Sequence, residues 1–178
     1  MQIDFHMHMF ADKIAEKTIA QLAKTSGMTP CTNGTCSDTL KKMEEWGTRL
    51  GVVMTIAVNP KHQKVNNDWA ASIQSDKLVP FGSVHPFAED AIEELHRIKE
   101  LGLKGVKLHP DYQNFFVDDD RLAPIYETID QLGLLLMFHA GFDPLSPQVV
   151  HGTPKAIGQV VDSYPNLRVI AAHMGGMD

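Results

Sequence analysis

Six short apolar runs, separated by amphipathic segments, constrain this chain more than any other feature of its sequence. The runs are QIDFH (2–6), GVVMTIAV (51–58), LVPFGSVH (78–85), GVKLH (105–109), LLLMFHA (134–140) and LRVIAAH (167–173). They are of strand length and hydrophobic nearly throughout, as parallel strands buried on both faces are. Helical patterns lie between them. DKIAEKTIAQLAKT (12–25) sets Ile14, Ile19 and Leu22 at near-helical spacing, and DAIEELHRIKELG (90–102) sets Ile92, Leu95, Ile98 and Leu101 on one stripe before a terminal glycine. SDTLKKMEEWG (37–47) reads as a helix capped by Ser37, and TPKAIGQVVDSYP (153–165) as one capped by Thr153 with Pro154 in its first turn. DRLAPIYETIDQLG (120–133) follows the same pattern. Strand and helix in regular alternation specify a parallel α/β protein. No glycine-rich phosphate loop follows the first strand, which removes support for a dinucleotide fold.

Length and composition set the remaining bounds. The 178 residues, 43% hydrophobic and 21% charged, suit one globular domain spanning 1–178. A net charge of -6 with scattered lysines and arginines argues against nucleic acid and anionic membrane as partners. No apolar run reaches membrane-spanning length, and MQIDFHMH lacks the features of a signal peptide, so a cytoplasmic location is expected. Cys31 and Cys36 share the loop PCTNGTC and read as free thiols, with a small disulfide or a metal site as the alternatives. The longest irregular stretch, 26–36, has the position of a lid.

Of nine histidines, six fall at the C-terminal ends of the runs: His6 and His8 after the first, then His85, His109, His139 and His173 after the third to sixth. In parallel α/β folds those ends share one face, where ligands bind. Residues two apart on a strand point to the same side, roughly 6.6 Å apart along it, and imidazoles can converge from there on one ion. His62, His96 and His151 fall on helices or loops and are expected to be solvated. Phe5 and Met7 are expected to pack outward under the first helix, and Phe115 and Phe116 either wall a pocket or pack on a helix. Pro110, Pro144 and Pro147 are expected to shape loops on the same face.

DFHMH, GVKLHPDYQ, MFHAG and VIAAHMGG, in that order and spacing, resemble the amidohydrolase superfamily, in the branch that includes aminocarboxymuconate-semialdehyde and dihydroxybenzoate decarboxylases. The resemblance implies a (β/α)8 TIM-type barrel with a divalent metal at the C-terminal mouth. It implies His6, His8 and His139 as metal ligands, and His173 either as acid/base on the metal-bound water or as ligand of a second metal. Three imidazoles suit zinc. Lys107, His109 and His85 are assigned to the substrate pocket. Carboxylation of Lys107 to bridge two metals is the alternative at that position, as against a lysine lining the mouth, paired with a carboxylate or greeting an acidic substrate; a structural histidine is the alternative for His85.

A complete barrel of this type needs about 250 residues. The sequence therefore reads as the N-terminal three-quarters of one, without strands seven and eight or the aspartate that follows strand eight; Asp178 belongs to the loop after strand six. Self-association through the open strand edges is expected of it. The functional expectation is a metal-dependent hydrolase acting on a C–N or C–O bond of a small molecule. The alternative is a metal-dependent, non-oxidative decarboxylase of a carboxylated aromatic or related substrate, and the reading from another class is an inactive fragment or non-catalytic binding module.

Overall fold

All six apolar runs form strands, and they pair in parallel in sequence order. The computed structural model describes residues 2–146 and 148–176, so Pro147 and Asp178 lie outside the described residues. Strands β1 (Gln2–Met7), β2 (Thr48–Met54) and β3 (Leu78–Phe81) make one three-stranded ladder, and β4 (Gly105–Leu108), β5 (Leu135–Phe138) and β6 (Val169–Ala171) make a second. A parallel bridge between Gly82 and Val106 joins them. It is completed by the Gly82 N–H donating to Gly105 O (2.9 Å) and the Lys107 N–H to Gly82 O (2.8 Å). The six strands thus run in order from β1 to β6. The whole of GVKL in β4 is buried, as expected of a strand covered on both faces.

Helices α1 (Asp12–Ser26), α2 (Cys36–Trp46), α3 (Gln63–Ser72), α4 (Ala91–Glu100), α5 (Pro110–Gln113), α6 (Ala123–Gln131) and α7 (Pro154–Ser163) occupy the connections. The cap of α2 is Thr35, whose hydroxyl accepts from the Asp38 N–H at 3.2 Å, and not Ser37. Residues 27–35, where a lid was expected, hold no helix or strand, and Gly34 O accepts from the Phe10 N–H at 2.9 Å. The main core lies between β4–β6 and α4, α6 and α7, and includes Leu95, Ile98, Leu108, Ile129, Phe138 and Val160. Met7 packs with Met43, Val53 and Leu78 in a second cluster. Phe5 is 43% exposed, with its ring edge on Phe81, so it is not covered by the first helix as expected.

Buried amides lace the C-terminal strand ends together. Gln113 donates to Ala57 O (2.9 Å) and Val84 O (2.8 Å) and accepts from the His109 N–H (2.8 Å), tying the turn after β4 to the segments after β2 and β3. Asn67 accepts from the Ser83 N–H and donates to Ser83 O and Glu94, while the Ser83 hydroxyl donates to Lys107 O. These groups satisfy backbone that leaves the ladders in the interior, where an unpaired group costs about 1–3 kcal/mol.

Candidate active site

Five of the six strand-end histidines form one chain of rings across the C-terminal rim. His6 and His8 stand with Nε2 atoms 3.1 Å apart. The His6 and His173 rings are 4.9 Å apart, and His173 Nε2 is 3.2 Å from His139 Nδ1. His139 stacks on His109 at 4.1 Å and 15°, and His109 on Tyr112 at 3.7 Å and 8°. His85 stands apart: β3 ends at Phe81, and the contacts of His85 are to Gln63, through its backbone N–H, and Phe87, whose N–H it accepts. The rim therefore assembles His6, His8, His109, His139 and His173 and leaves His85 on the following loop. His62 and His96 are exposed, whereas His151 is half-buried and pairs through Nδ1 with Asp111 at 2.8 Å, contrary to the expectation of a solvated ring.

Backbone geometry brings the rings together. β1 shifts register against β2 between Asp4 and Met7, where the HxH pair leaves the strand. His173 and Met174 adopt left-handed conformations (φ 55° and 57°), which cost of order 1–3 kcal/mol each in non-glycine residues and recur at functional sites. Gly176 permits this turn to lie on the segment after β5, since a Cβ there would fall 2.6 Å from Gly141 Cα.

The ring protons can be placed from their partners. His8 Nδ1 lies 3.2 Å from Met54 O, an acceptor, so Nδ1 carries the proton and Nε2 keeps its lone pair toward His6. His109 Nδ1 accepts from the Tyr112 N–H (3.4 Å), so its proton sits on Nε2, 3.3 Å from Asp143 Oδ2. His139 Nε2 is buried and, among the described residues, has no hydrogen-bond partner. Desolvation, with the nearby Lys107 charge and the other imidazoles adding to it, holds His6 down to about 2 and His8 to about 4. Desolvation, then the charges of His109 and Lys107, brings His139 to about 3. Neutral imidazoles are what metal coordination requires.

Lys107 lies close enough to these rings for its charge to act on them. It is fully buried, its Nζ has no hydrogen-bond partner among the described residues, and burial lowers it to about 7 against the opposing pull of Asp143. Asp143, four residues after His139, is the rim residue that the sequence reading missed. Burial alone would raise its carboxyl, but the hydrogen bonds from His109 and the Leu145 N–H prevail and lower it to about 2. The signal was an aspartate in the HAGFDP loop at one-turn spacing from a strand-end histidine.

The donor set fits a divalent ion. Among the described residues, His109, His139 and Asp143 form the group whose donor atoms all lie within 4.8 Å of one another; His6 and His8 fall outside that group, and the hydrogen bonds of His109 and Asp143 leave His139 as its free donor. The His6–His8 separation matches the edge of a coordination polyhedron with metal–nitrogen bonds of about 2.0–2.1 Å. His139 offers a nitrogen that no other group among the described residues satisfies. His109 does not share this freedom, because both its nitrogens are engaged.

A six-stranded parallel sheet whose C-terminal rim gathers histidines around a buried lysine has the architecture of the ligand-binding face of a TIM-type barrel. A family model described as Amidohydrolase matches residues 3–178, and the chain belongs to that family. It is 32% identical over 132 residues to 2-amino-3-carboxymuconate-6-semialdehyde decarboxylase of Dictyostelium discoideum, an alignment covering 62% of this chain and 36% of that protein. The fold superposes on 5-carboxyvanillate decarboxylase from Sphingomonas paucimobilis with a TM-score of 0.73 at 15% identity, covering 98% of this chain and 68% of the other. It also superposes on 5-carboxyvanillate decarboxylase from Novosphingobium aromaticivorans DSM 12444, complexed with manganese and 4-hydroxy-3-methoxy-5-nitrobenzoic acid. There the TM-score is 0.72 at 17% identity, covering 98% and 65%. These relatives are decarboxylases, so they favour the carboxy-lyase alternative over the hydrolytic expectation. The chain spans about two thirds of the solved structures it matches and about one third of the sequence relative.

Proposed function

We propose that this chain carries the metal- and substrate-binding rim of a metal-dependent, non-oxidative decarboxylase acting on a small carboxylated molecule, aromatic or related. The observation that carries the reading is Lys107. A buried ammonium without a partner is costly unless an anion meets it, and Lys107 sits where its charge acts on His6, His8, His109, His139 and His173. An anionic substrate seated against the rim supplies that partner.

In this reading His6, His8 and His139 hold the divalent ion, with Nε2 of His8 and Nε2 of His139 as donors. The bound ion supplies a Lewis acid that orients and polarises the substrate. Lys107 receives the substrate's negative charge. His139, donating from Nδ1, makes its contact with His173 Nε2, which leaves the other nitrogen of His173 to carry a movable proton. The carbon–carbon bond to the carboxylate breaks, its electron pair stays on the substrate carbon, that carbon takes up a proton through His173, and carbon dioxide leaves. His109 is held from both nitrogens and lines the pocket rather than reacting, and His85 reaches substrate only at the outer mouth. Zinc is the expected ion for imidazole donors, with manganese, as named for the relative, the competing choice.

A small-molecule substrate and a cytoplasmic setting belong to the same reading; the free thiols Cys31 and Cys36 suit a reducing compartment. Among the described residues no helix is long and apolar enough to cross a membrane. The test is to purify the protein, measure bound metal, and assay carbon dioxide release from hydroxylated benzoates beside hydrolysis of lactones and cyclic amides. About one divalent ion per chain with carbon dioxide release is expected. Hydrolysis without decarboxylation, or full turnover in metal-free protein, overturns the reading.

A further inference from the structure

The loop after β5 sends one carboxylate into the rim, and each oxygen of that carboxylate is already held. Asp143 Oδ1 accepts from the Leu145 N–H at 2.6 Å and from the Tyr112 hydroxyl at 3.4 Å. Oδ2 lies 3.3 Å from His109 Nε2. The backbone N–H of Tyr112 meets His109 Nδ1 at the long distance of 3.4 Å, and the charged acceptor for the ring proton is the Asp143 carboxylate that Nε2 faces. His109 is buried, and its ring lies flat between Tyr112 and His139. His139 Nε2, without a hydrogen-bond partner among the described residues, stands 3.7 Å from Asp143 Oδ2, too far for a shared proton.

We propose that Asp143 is a positioning residue: its carboxylate fixes His109 as the Nε2–H tautomer, and the fixed His109 ring, stacked on His139, sets the plane in which His139 presents its free nitrogen. The proposal rests on the reading that His139 binds the metal. It gives His109 a role that neither ligation nor substrate contact would give. A ring engaged at both nitrogens cannot coordinate, yet a flat face 4.1 Å from its neighbour restricts how that neighbour turns. Outer groups that orient a ligating histidine change metal affinity by roughly 10–100-fold when removed. A second pair of the same kind crosses between the same two segments in the opposite sense: Asp111, at the start of α5, accepts from both the backbone and ring N–H of His151. The segment carrying Asp143 is thus pinned at both ends to the turn carrying His109.

The experiment compares Mn2+ affinity by titration calorimetry in the full-length protein and in Asp143→Asn, His109→Gln, the double variant and His139→Ala. It adds 15N spectra of the histidine rings in metal-free protein. Asp143→Asn and His109→Gln should each bind Mn2+ roughly 10–100-fold more weakly. The double variant should be no weaker than His109→Gln alone, because Asp143 acts only through that ring. The ring spectrum of His109 should show Nε2–H in the native protein and a mixture of tautomers in Asp143→Asn. Should Asp143→Asn fail to fold, His109→Gln and the native ring spectrum still decide. Unchanged affinity in Asp143→Asn, losses that add in the double variant, or an Nδ1–H ring in the native protein would overturn the proposal. So would a loss in Asp143→Asn as complete as that in His139→Ala, which would make Asp143 a ligand. His139→Ala with native affinity would instead refute the metal reading, while the ring spectra would still judge the lock between Asp143 and His109.

Discussion

Replacing Lys107 by methionine should make the metal-free protein more stable while removing its capacity to bind a carboxylated substrate. Lys107 is 0% exposed, and burial lowers it from 10.5 to about 7. The unfolded chain keeps its ammonium at neutral pH, so folding at pH 7 must take up an amine that is half deprotonated. At 1.36 kcal/mol per unit of displacement, that penalty is about 4 kcal/mol at pH 7. The sign follows from proton counting. Between about 7 and 10.5 the unfolded state binds more protons than the folded one, so stability rises with pH across that window and the penalty is fully present below it. Methionine has nearly the same length and no charge, and replacing a buried ionic group by an apolar one commonly stabilises by about 1–4 kcal/mol. Urea unfolding followed by circular dichroism should show Lys107→Met more stable than the native chain by that amount at pH 7, with the gap closing toward pH 10. The variant should release no carbon dioxide from any substrate the native enzyme accepts. A variant less stable at pH 7, or a gap that does not change between pH 7 and pH 10, would refute the reasoning, since Lys107 would then be a satisfied structural group.

The histidine cluster should confer acid sensitivity: with His6, His8 and His139 held to about 2, 4 and 3, the unfolded chain protonates first as pH falls below the usual 6.5. Urea midpoints of metal-free protein should therefore drop between pH 8 and pH 5, and a flat profile would count against neutral, desolvated rings. Gly152→Ala would set a Cβ 2.7 Å from His139 O, and displacing that carbonyl should cost about 1–3 kcal/mol and weaken metal binding; native thermal stability and metal affinity together would argue that the segment moves freely. Gln113→Leu would strip partners from Ala57 O, Val84 O and the His109 N–H at once, so a loss of roughly 3 kcal/mol is expected in chemical denaturation. A loss below about 1 kcal/mol would mean that water replaces the amide there.

The strand pattern was legible because burial on both faces writes itself as a continuous apolar run, as in GVKL and LLMF. Helix α3 was not, and the reason is specific. Its buried face is Gln63, Asn67 and Ala70, so the helical period is present but carried by amides. Those amides serve Ser83, His85 and Glu94 rather than apolar neighbours, and hydrophobic periodicity cannot register such a face. His85 was misplaced for a related reason. The apolar run continues to Val84, but the ladder stops at Phe81, where the chain turns to meet those same side-chain amides.

What the sequence hid at the rim follows from how the histidines divide their nitrogens. Strand-end position identifies which rings reach the mouth, and it placed His6, His8, His109, His139 and His173 on one edge. It says nothing about protons. Those are set by groups with no motif of their own: the carbonyl of Met54 for His8, the N–H of Tyr112 and the carboxylate of Asp143 for His109. A carbonyl facing Nδ1 frees Nε2 for a cation, whereas an N–H facing Nδ1, with a carboxylate facing Nε2, places the ring proton outward and makes the same residue type a donor. His8 and His109 follow strands in the same way, yet they emerge with opposite chemistry because one faces a backbone acceptor and the other a backbone donor. Under the proposed reading, ligands and their supports differ in the backbone groups that meet each ring, and a count of histidines cannot see those groups.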